Sequence, residues 1–344
     1  MKQLKNKSFK DRHSKKVFNH HQKRKDKHYL GHTFTDSANP FDSPPLKKHR
    51  LPTPKEFSFI YNLEESLDFF KDFIYYMNNV DLLFIDMRKT ESMTIEVLLY
   101  LISLHKISVN NNIKVSIEIK TPNEKNLIIL MAQSGFSKYF KSNVSITLNH
   151  DAIFTIRDGS TNRKQNKDDA ETCKEAVDFA MKKLNKEKKD PLMRKLFTAL
   201  AEMMLNTDNH AYDEDGELRN WYLFAVENTD GIDFYFFDNG KGITKTAKKS
   251  LLEKTVGTLK LSLAQPSIMK AVLNGEYRSA TGLRNRNKGI PQINELLIHN
   301  NVKSSIILTN KILFTPQEMK FEKSSINFKG TLYVWKLKKE QNEN

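Results

Sequence analysis

Three polar side chains in an otherwise apolar segment could do chemistry together. Glu202, Asn206 and His210 are spaced by four residues in a stretch that reads as one helix from Pro191 to about residue 212, so they share one stripe of that helix. An acid, an amide and an imidazole in one stripe can hold a hydrated magnesium ion and orient a water beside a phosphate. A polar stripe alone also fits a solvent-exposed face, but the neighbouring residues are apolar and predict a helix buried on most sides.

A second group of chemically useful residues follows a predicted hairpin. Residues 221–226 and 232–237 read as its two strands, and the second strand runs into Asp238, Gly240 and Gly242. A carboxylate at the end of a strand can accept a hydrogen bond from an exocyclic amine. Two glycines separated by one residue let the backbone approach a flat ligand. Taken alone, this stretch also fits an ordinary Asn-Gly turn.

The third group is a basic, glycine-bearing loop that opens a helix. Residues 281–290 contain Gly282, Lys288 and Gly289 and lead into a helix near Pro291. Glycines, cations and a helix N-terminus together suit a triphosphate. A basic surface loop is the alternative if the first two groups are coincidental.

The order of these groups resembles the ATP-binding domain of the GHKL superfamily, which includes histidine kinases, gyrase B subunits, mismatch-repair ATPases and heat-shock chaperones. The resemblance rests on Glu-x-x-x-Asn-x-x-x-His on a helix, then Asp-x-Gly-x-Gly-Ile, then the glycine-bearing loop, and it covers residues 168–338. It implies an α/β sandwich that holds ATP between the helix, the strand ending at Asp238 and a mobile lid within about residues 244–280.

The resemblance also implies roles for single residues. Asp238 would bind the adenine amine, Asn206 would coordinate Mg²⁺, and Glu202 would be the general base in members that hydrolyse ATP. One departure from close relatives is Asn287, which stands where they usually show a further glycine; asparagine tolerates left-handed backbone angles best after glycine. The nucleotide-binding residues would be Asn206, His210, Asp238, Gly240, Gly242, Gly282, Lys288 and Gly289.

Upstream of this domain the sequence alternates short apolar runs with amphipathic stretches. Strands are predicted at residues 57–61, 82–87 and 115–119, and helices at residues 63–77, 94–107 and 122–132. Such alternation favours a βαβ arrangement with a mostly parallel sheet. No catalytic constellation appears among these residues, and His105 is expected to be a partly buried structural residue.

Residues 57–156 resemble a STAS domain, a small regulatory α/β module of anti-sigma-factor antagonists and sulfate transporters. The resemblance rests on the order of elements, on the strand FIDM at Phe84–Met87 followed by a helix, and on SGF at Ser134–Phe136. Phosphorylatable members carry an Asp-Ser-Ser-Gly turn with an acceptor serine. The equivalent stretch here, Ser92–Ile95, lacks it, so the resemblance implies protein contact and no phosphoswitch.

The formal charge of +15 on the 344-residue chain is concentrated at its start. Residues 1–56 hold 15 Lys/Arg and 5 Asp/Glu, a net +10, and the rest of the chain holds only +5. Five prolines and almost no apolar periodicity predict a disordered tail. It reads either as a solubilising extension or as an arm for nucleic acid. Its six histidines are irregularly spaced, and we expect no metal site there.

Composition excludes several classes of protein. The absence of any 18-residue apolar run predicts no membrane span. The single cysteine, Cys173, rules out a disulfide framework and a Cys-based zinc site, and it is expected to pack in the core. With no signal peptide at the start, a cytoplasmic protein is expected.

The predicted fold class is α/β (α+β). It comprises a disordered basic tail at residues 1–56, a STAS-like domain at 57–156, a linker at 157–167 and a GHKL-type α/β sandwich at 168–338. The hypothesis for function is a regulatory ATPase that binds ATP and Mg²⁺ and whose nucleotide state gates a protein partner through the STAS-like domain, with a homodimer allowed.

Two alternative functions stay open. One is an anti-sigma-type Ser/Thr protein kinase, which the STAS-like fusion favours. The other is a nucleotide-gated scaffold with little catalysis, in stress or defence, whose tail at residues 1–56 docks nucleic acid. Glu202 favours hydrolysis over kinase activity, and no acceptor-histidine helix pair precedes the ATPase domain, as a complete histidine kinase would require.

Overall fold

The computed structural model describes residues 45–140, 150–160, 166–210, 220–247, 265–275 and 289–339. The strands are β1 (Lys48–Pro52), β2 (Glu56–Phe57), β3 (Leu82–Asp86), β4 (Ser92–Met93), β5 (Ser116–Lys120), β6 (Ile153–Ser160), β7 (Asn220–Asn228), β8 (Gly231–Asp238), β9 (Val302–Thr315) and β10 (Lys320–Lys338). The helices are α1 (Leu63–Met77), α2 (Ile95–Asn110), α3 (Lys125–Ser134), α4 (Asn166–Leu184), α5 (Pro191–His210), α6 (Gln265–Leu273) and α7 (Gly289–Leu297). The chain is therefore mixed α/β, as predicted.

The first part of the chain is built on a parallel sheet of order β1-β3-β5, with β3 in the centre. Leu51, Leu83 and Ile85 point from one face of this sheet into a core that also holds buried residues of α1 and α2. The predicted βαβ arrangement is confirmed, and α1 spans the residues that its apolar stripe indicates. A short parallel pair, β2 with β4, lies beside it.

Two predictions about the start of this module are wrong. Residues 48–52 of the predicted tail form β1, an edge strand in which only Leu51 is buried, and one buried residue gives no periodic signal. The predicted strand at 57–61 ends at Phe57, because the Ser58 hydroxyl accepts hydrogen bonds from Ile60 N at 3.1 Å and Tyr61 N at 3.2 Å and holds a turn. Residues 1–44 lie outside the described part of the chain.

The second part is an antiparallel sheet of order β6-β7-β8-β10-β9. Successive side chains of a strand point to opposite faces. On β8, Phe234 and Phe236 face a core that contains buried residues of α4 to α7. Tyr235 and Phe237 face the other way, into the core of the first module. Both faces of this sheet are therefore covered.

Of the two hydrophobic cores, the one beneath α1 and α2 is shared by both parts. The ring of Tyr100 on α2 lies 5.4 Å from Phe237 of β8 and 4.9 Å from Phe328 of β10, measured between centroids. At the edge of the same interface, Glu64 of α1 accepts a hydrogen bond from Ser325 N at 3.1 Å. The described residues from Leu46 onward accordingly belong to one compact unit.

Part of the predicted linker is a strand. Residues 157–160 complete β6, which pairs with β7 at one edge of the five-stranded sheet. These residues read as a linker because their polar side chains make surface ion pairs: Asp158 binds Lys106 of α2, and Arg157 lies 3.2 Å from Glu175 of α4. Within the described ranges, no helix is long and apolar enough to cross a membrane.

Candidate functional site

The predicted polar stripe lies on helix α5, whose apolar side chains are largely buried. It begins at Pro191, and the preceding Asp190 accepts a hydrogen bond from Leu192 N at 2.8 Å, which satisfies one free N–H of the first turn. Leu196, Leu200 and other apolar residues of the helix are fully buried. Glu202 and Asn206 are half-buried one turn apart, and His210 is the last helical residue, with a side chain outside the described set.

The structure brings α5 against the start of α7. A Cβ added to Gly289, the first residue of α7, would lie 2.6 Å from Glu202 Oε2 and 3.6 Å from Asn206 Oδ1. The two helices are also joined by an ion pair of 2.9 Å between Lys195 and Glu295. Two of the three sequence groups, the polar stripe and the glycine at the end of the basic loop, therefore meet in space.

The chemistry of this contact suits a divalent cation beside a phosphate. Glu202 and Asn206 offer carboxylate and amide oxygens, which are the ligands that Mg²⁺ accepts. Burial raises the pKa of Glu202, as a group that takes a proton near neutral pH requires. Asn206 Nδ2 is buried and has no hydrogen-bond partner among the described residues. An unpaired buried amide group is costly, and a bound ligand would relieve that cost.

Gly289→Ala tests whether this close approach matters. The added methyl group would collide with the tip of the Glu202 side chain, which can move, so we expect a folded protein with a displaced carboxylate. Any ATP hydrolysis should fall by about tenfold or more, since misplacement by an ångström is costly in catalysis. Steady-state phosphate release measures it. Pro291→Ala, in the same helix turn, should leave the rate unchanged; equal rates for Gly289→Ala and wild type would contradict the assignment.

Asp238 lies at the end of β8 on the helix-covered face of the sheet. It continues the alternation of Phe234 and Phe236, which face α4 to α7. The residue is 8% exposed, and no cation is paired with it among the described residues. Its carboxylate accepts hydrogen bonds from Gly240 N at 2.9 Å and from Thr331. Burial outweighs these bonds and raises the pKa of Asp238 to about 7.

A polar brace holds the glycine turn after Asp238. Gly242 adopts φ +85°, and a Cβ there would lie 2.6 Å from Asn310 Nδ2, so only glycine fits without strain. Asn310 Nδ2 donates to the carbonyl of Lys241 at 2.7 Å. Thr309 Oγ1 accepts from Ile243 N at 2.9 Å. The described turn is thus fixed on β9 and presents its backbone in a defined position.

Sequence reasoning missed three residues of this site. Thr331 stands opposite Asp238 in the β8–β10 register, and Thr309 and Asn310 brace the turn. The positive φ of Asn310, +55°, is a conformation that asparagine adopts more readily than most residues. The only sequence signal for the brace was the polar pair Thr309 and Asn310 at the end of the apolar run 306–308. Their hydrogen-bond partners in the turn lie more than 60 residues away in the chain, so no local pattern could identify them.

Other predicted residues can also be placed. Gly282 and Lys288 lie outside the described residues, as does most of the predicted lid. Within the described ranges, no three His, Cys, Asp or Glu side chains form a group that could hold a metal ion. Cys173 is buried, and burial raises the pKa of its thiol to about 12, consistent with the predicted packing role. His105 is half-buried, as predicted.

No protein-family model matches this sequence, and no curated protein is significantly similar to it. The GHKL and STAS resemblances therefore stay predictions.

Proposed function

We propose that the protein binds ATP with Mg²⁺ between α5, α7 and the five-stranded sheet, and that it hydrolyses the nucleotide. The observation that carries this proposal is the contact of Glu202 and Asn206 with Gly289 at the start of α7. It places an acid and an amide beside a helix N-terminus, where phosphate is favoured. Asp238 is a buried carboxylate with no paired cation among the described residues, and it lies in the same layer between helices and sheet.

Asp238 would select the base. Its carboxylate already accepts hydrogen bonds from Gly240 N and from Thr331. Two carboxylate oxygens offer about four acceptor sites, which leaves an acceptor position for the exocyclic amine of adenine. Guanine presents a carbonyl oxygen at that position, and two acceptors would then face each other. A buried polar group discriminates strongly against a ligand that leaves it unpaired. The fixed turn at Gly242 would bound the same pocket.

Asn206 and the start of α7 would hold the phosphates. The first N–H groups of a helix are free and its N-terminus carries a partial positive charge. Asn206 would contribute its Oδ1 to Mg²⁺, and the metal would supply neutralisation of phosphate charge when bound. Lys288, which precedes α7 in the sequence, adds a cation next to this helix N-terminus.

Glu202 would activate the attacking water. Its carboxylate takes a proton from the water as the water oxygen bonds to the γ-phosphorus and the bond to ADP breaks. The raised pKa of Glu202 improves it as a base near neutral pH. The two products are ADP and inorganic phosphate.

We propose that the nucleotide state is passed to a protein partner through the first module, in the cytoplasm. Phe237 precedes Asp238 in β8, and its ring touches Tyr100 of α2. A shift of the strand end on nucleotide binding would therefore reach α2 through one packed contact. This route supports the regulatory hypothesis because both elements belong to the same core.

Glu202→Gln is the experiment that tests hydrolysis. The amide keeps the size of the side chain but cannot take a proton, so we expect ATP affinity to stay near that of wild type. The rate of phosphate release should fall by about a hundredfold or more. Glu175→Gln, at an exposed site on α4, is the control and should behave as wild type.

Two outcomes would change the proposal. Wild-type rates of phosphate release by Glu202→Gln would remove Glu202 from the chemistry. Label from γ-phosphate that appears on a protein Ser or Thr, with none in solution, would favour the anti-sigma-type kinase instead.

A further inference from the structure

No described helix or strand covers one face of the parallel sheet, and most residues of that face are exposed. Its odd-numbered residues, such as Leu83 and Ile85, fill the core beneath α1 and α2. The even-numbered residues point the other way. This open sheet face consists of Lys48, Arg50, Pro52, Leu82, Phe84, Asp86, Ser116, Glu118 and Lys120. Parallel sheets are normally covered on both faces, so a face that no described element covers is a candidate binding surface.

Phe84 lies at the centre of this face. It sits on the middle strand β3, between Arg50 of β1 and Glu118 of β5 in the register. It is partly exposed and belongs to neither hydrophobic core cluster. The ammonium group of Lys120 lies 5.6 Å from the centroid of its ring. A partly exposed aromatic ring beside a lysine is the kind of surface on which a nucleic-acid base stacks.

Two arginines are held in place at the end of the same strand. Asp86 is buried, and its carboxylate accepts hydrogen bonds from Arg88 Nε at 2.9 Å and Arg50 Nε at 2.5 Å. The side chains of Arg50 and Arg88 remain 57% and 47% exposed. One carboxylate leaves a net positive charge on the pair. Because each guanidinium has five N–H donors, donors also remain for a phosphate.

We propose that the open sheet face binds single-stranded nucleic acid, with a base on Phe84 and phosphates on Arg50, Arg88 and Lys120. Charge complementarity supports this occupant. With Lys48 there are four cations against two carboxylates, Asp86 and Glu118, the second of which lies 4.0 Å from Lys120. The chain that precedes β1, residues 1–47, holds 12 Lys/Arg and 4 Asp/Glu, a net +8. Three strands span about 10 Å, which suits a few nucleotides of one strand.

This site is separate from the proposed nucleotide site and does not depend on it. The sequence alone suggested nucleic acid only for residues 1–56, chiefly from their charge and to a small extent from interleaved aromatic residues. The structure adds a stacking ring and two guanidiniums fixed by a buried carboxylate. The folded module therefore contributes its own binding surface.

Fluorescence anisotropy of the full-length protein with labelled oligothymidylate and oligouridylate tests the proposal. Phe84→Leu keeps an apolar side chain but loses the ring, and we expect about tenfold weaker binding, because stacking on a protein aromatic ring is worth that much per base. Lys120→Gln should reduce the slope of log K against log salt by about 0.7, the value for one phosphate contact on a single strand.

Lys71→Gln is the matched control, since Lys71 is 70% exposed on α1, which packs against the opposite face of the sheet. It should leave affinity and salt slope nearly unchanged. The proposal is overturned if the wild-type protein does not bind either oligonucleotide, if duplex DNA binds more tightly than single strands, or if Phe84→Leu and Lys120→Gln bind as Lys71→Gln does. Circular dichroism of each variant establishes that it is folded.

Discussion

Asp238→Asn is expected to stabilise the nucleotide-free protein and to abolish ATP binding. Burial raises the pKa of the Asp238 carboxyl from 3.8 to about 7 in the folded state. Folding therefore favours the protonated form. Above neutral pH the folded protein holds an ionised carboxylate in a buried site, which lowers the free energy of unfolding, and asparagine avoids this loss. Loss of function and gain of stability in one variant would be typical of a binding residue kept at the expense of the fold.

The pH dependence follows from the sign of this shift. The contribution of Asp238 to stability is fully present below its unfolded pKa of 3.8 and is lost as the pH rises through about 7. Because one pKa unit corresponds to about 1.4 kcal/mol, the cost of the ionised carboxylate is on the order of 4 kcal/mol. Urea denaturation at about pH 8 and pH 5 should show Asp238→Asn gaining free energy of unfolding mainly at the higher pH.

The effect on ATP has a separate cause. With the side-chain oxygen of asparagine turned to Gly240 N, its NH₂ group faces the adenine amine, and two donors repel. Asp233→Asn is the control on the same strand: its side chain points to the other face and lies 3.5 Å from Lys336. It should leave ATP affinity unchanged. Equal ATP affinities of Asp238→Asn and wild type would remove Asp238 from the binding site.

Tyr100→Ala is expected to destabilise the whole described unit and not only the first module. Tyr100 is 4% exposed, and its ring contacts the rings of Phe70, Phe237 and Phe328. Removing such a buried aromatic side chain costs about 3–5 kcal/mol. Both tryptophans, Trp221 and Trp335, lie in the five-stranded sheet and face away from the first module. Their fluorescence therefore reports unfolding of that sheet alone.

A shared core predicts that tryptophan fluorescence and circular dichroism follow one unfolding transition, shifted together by Tyr100→Ala. Tyr75→Ala, at a residue 44% exposed on α1, is the control and should change stability by less than about 0.5 kcal/mol. An unchanged tryptophan transition in Tyr100→Ala would show that the two parts unfold independently.

Local patterns were sufficient to predict most elements. The stripe in residues 63–77 predicts α1, and the position of Pro191 predicts the start of α5. Sequence also identified Glu202, Asn206 and Gly289 as candidates, although their contact depends on the packing of α5 against α7. What local patterns can give is the type of an element and the face that it buries.

The parts that escaped prediction depend on distant residues. The shared core requires both faces of β7 to be buried. The only indication of this in the sequence was the unbroken apolar run from Trp221 to Ala225, because a strand buried on both faces shows no alternation. The brace of Gly242 by Asn310 is set by strand register across 68 residues. The open sheet face appears only once β1, β3 and β5 are aligned, because its residues come from three separate strands.

The measurement that tests the central claim most directly is calorimetric titration of the full-length protein at about pH 8, where the Asp238 carboxyl is ionised. The titrants are ATP and GTP, each with and without Mg²⁺. One ATP should bind per chain, more tightly with Mg²⁺, and GTP should bind about a hundredfold more weakly or not at all, because its carbonyl faces the Asp238 carboxylate. Equal affinity for the two nucleotides, or no binding of either, would contradict the proposed site.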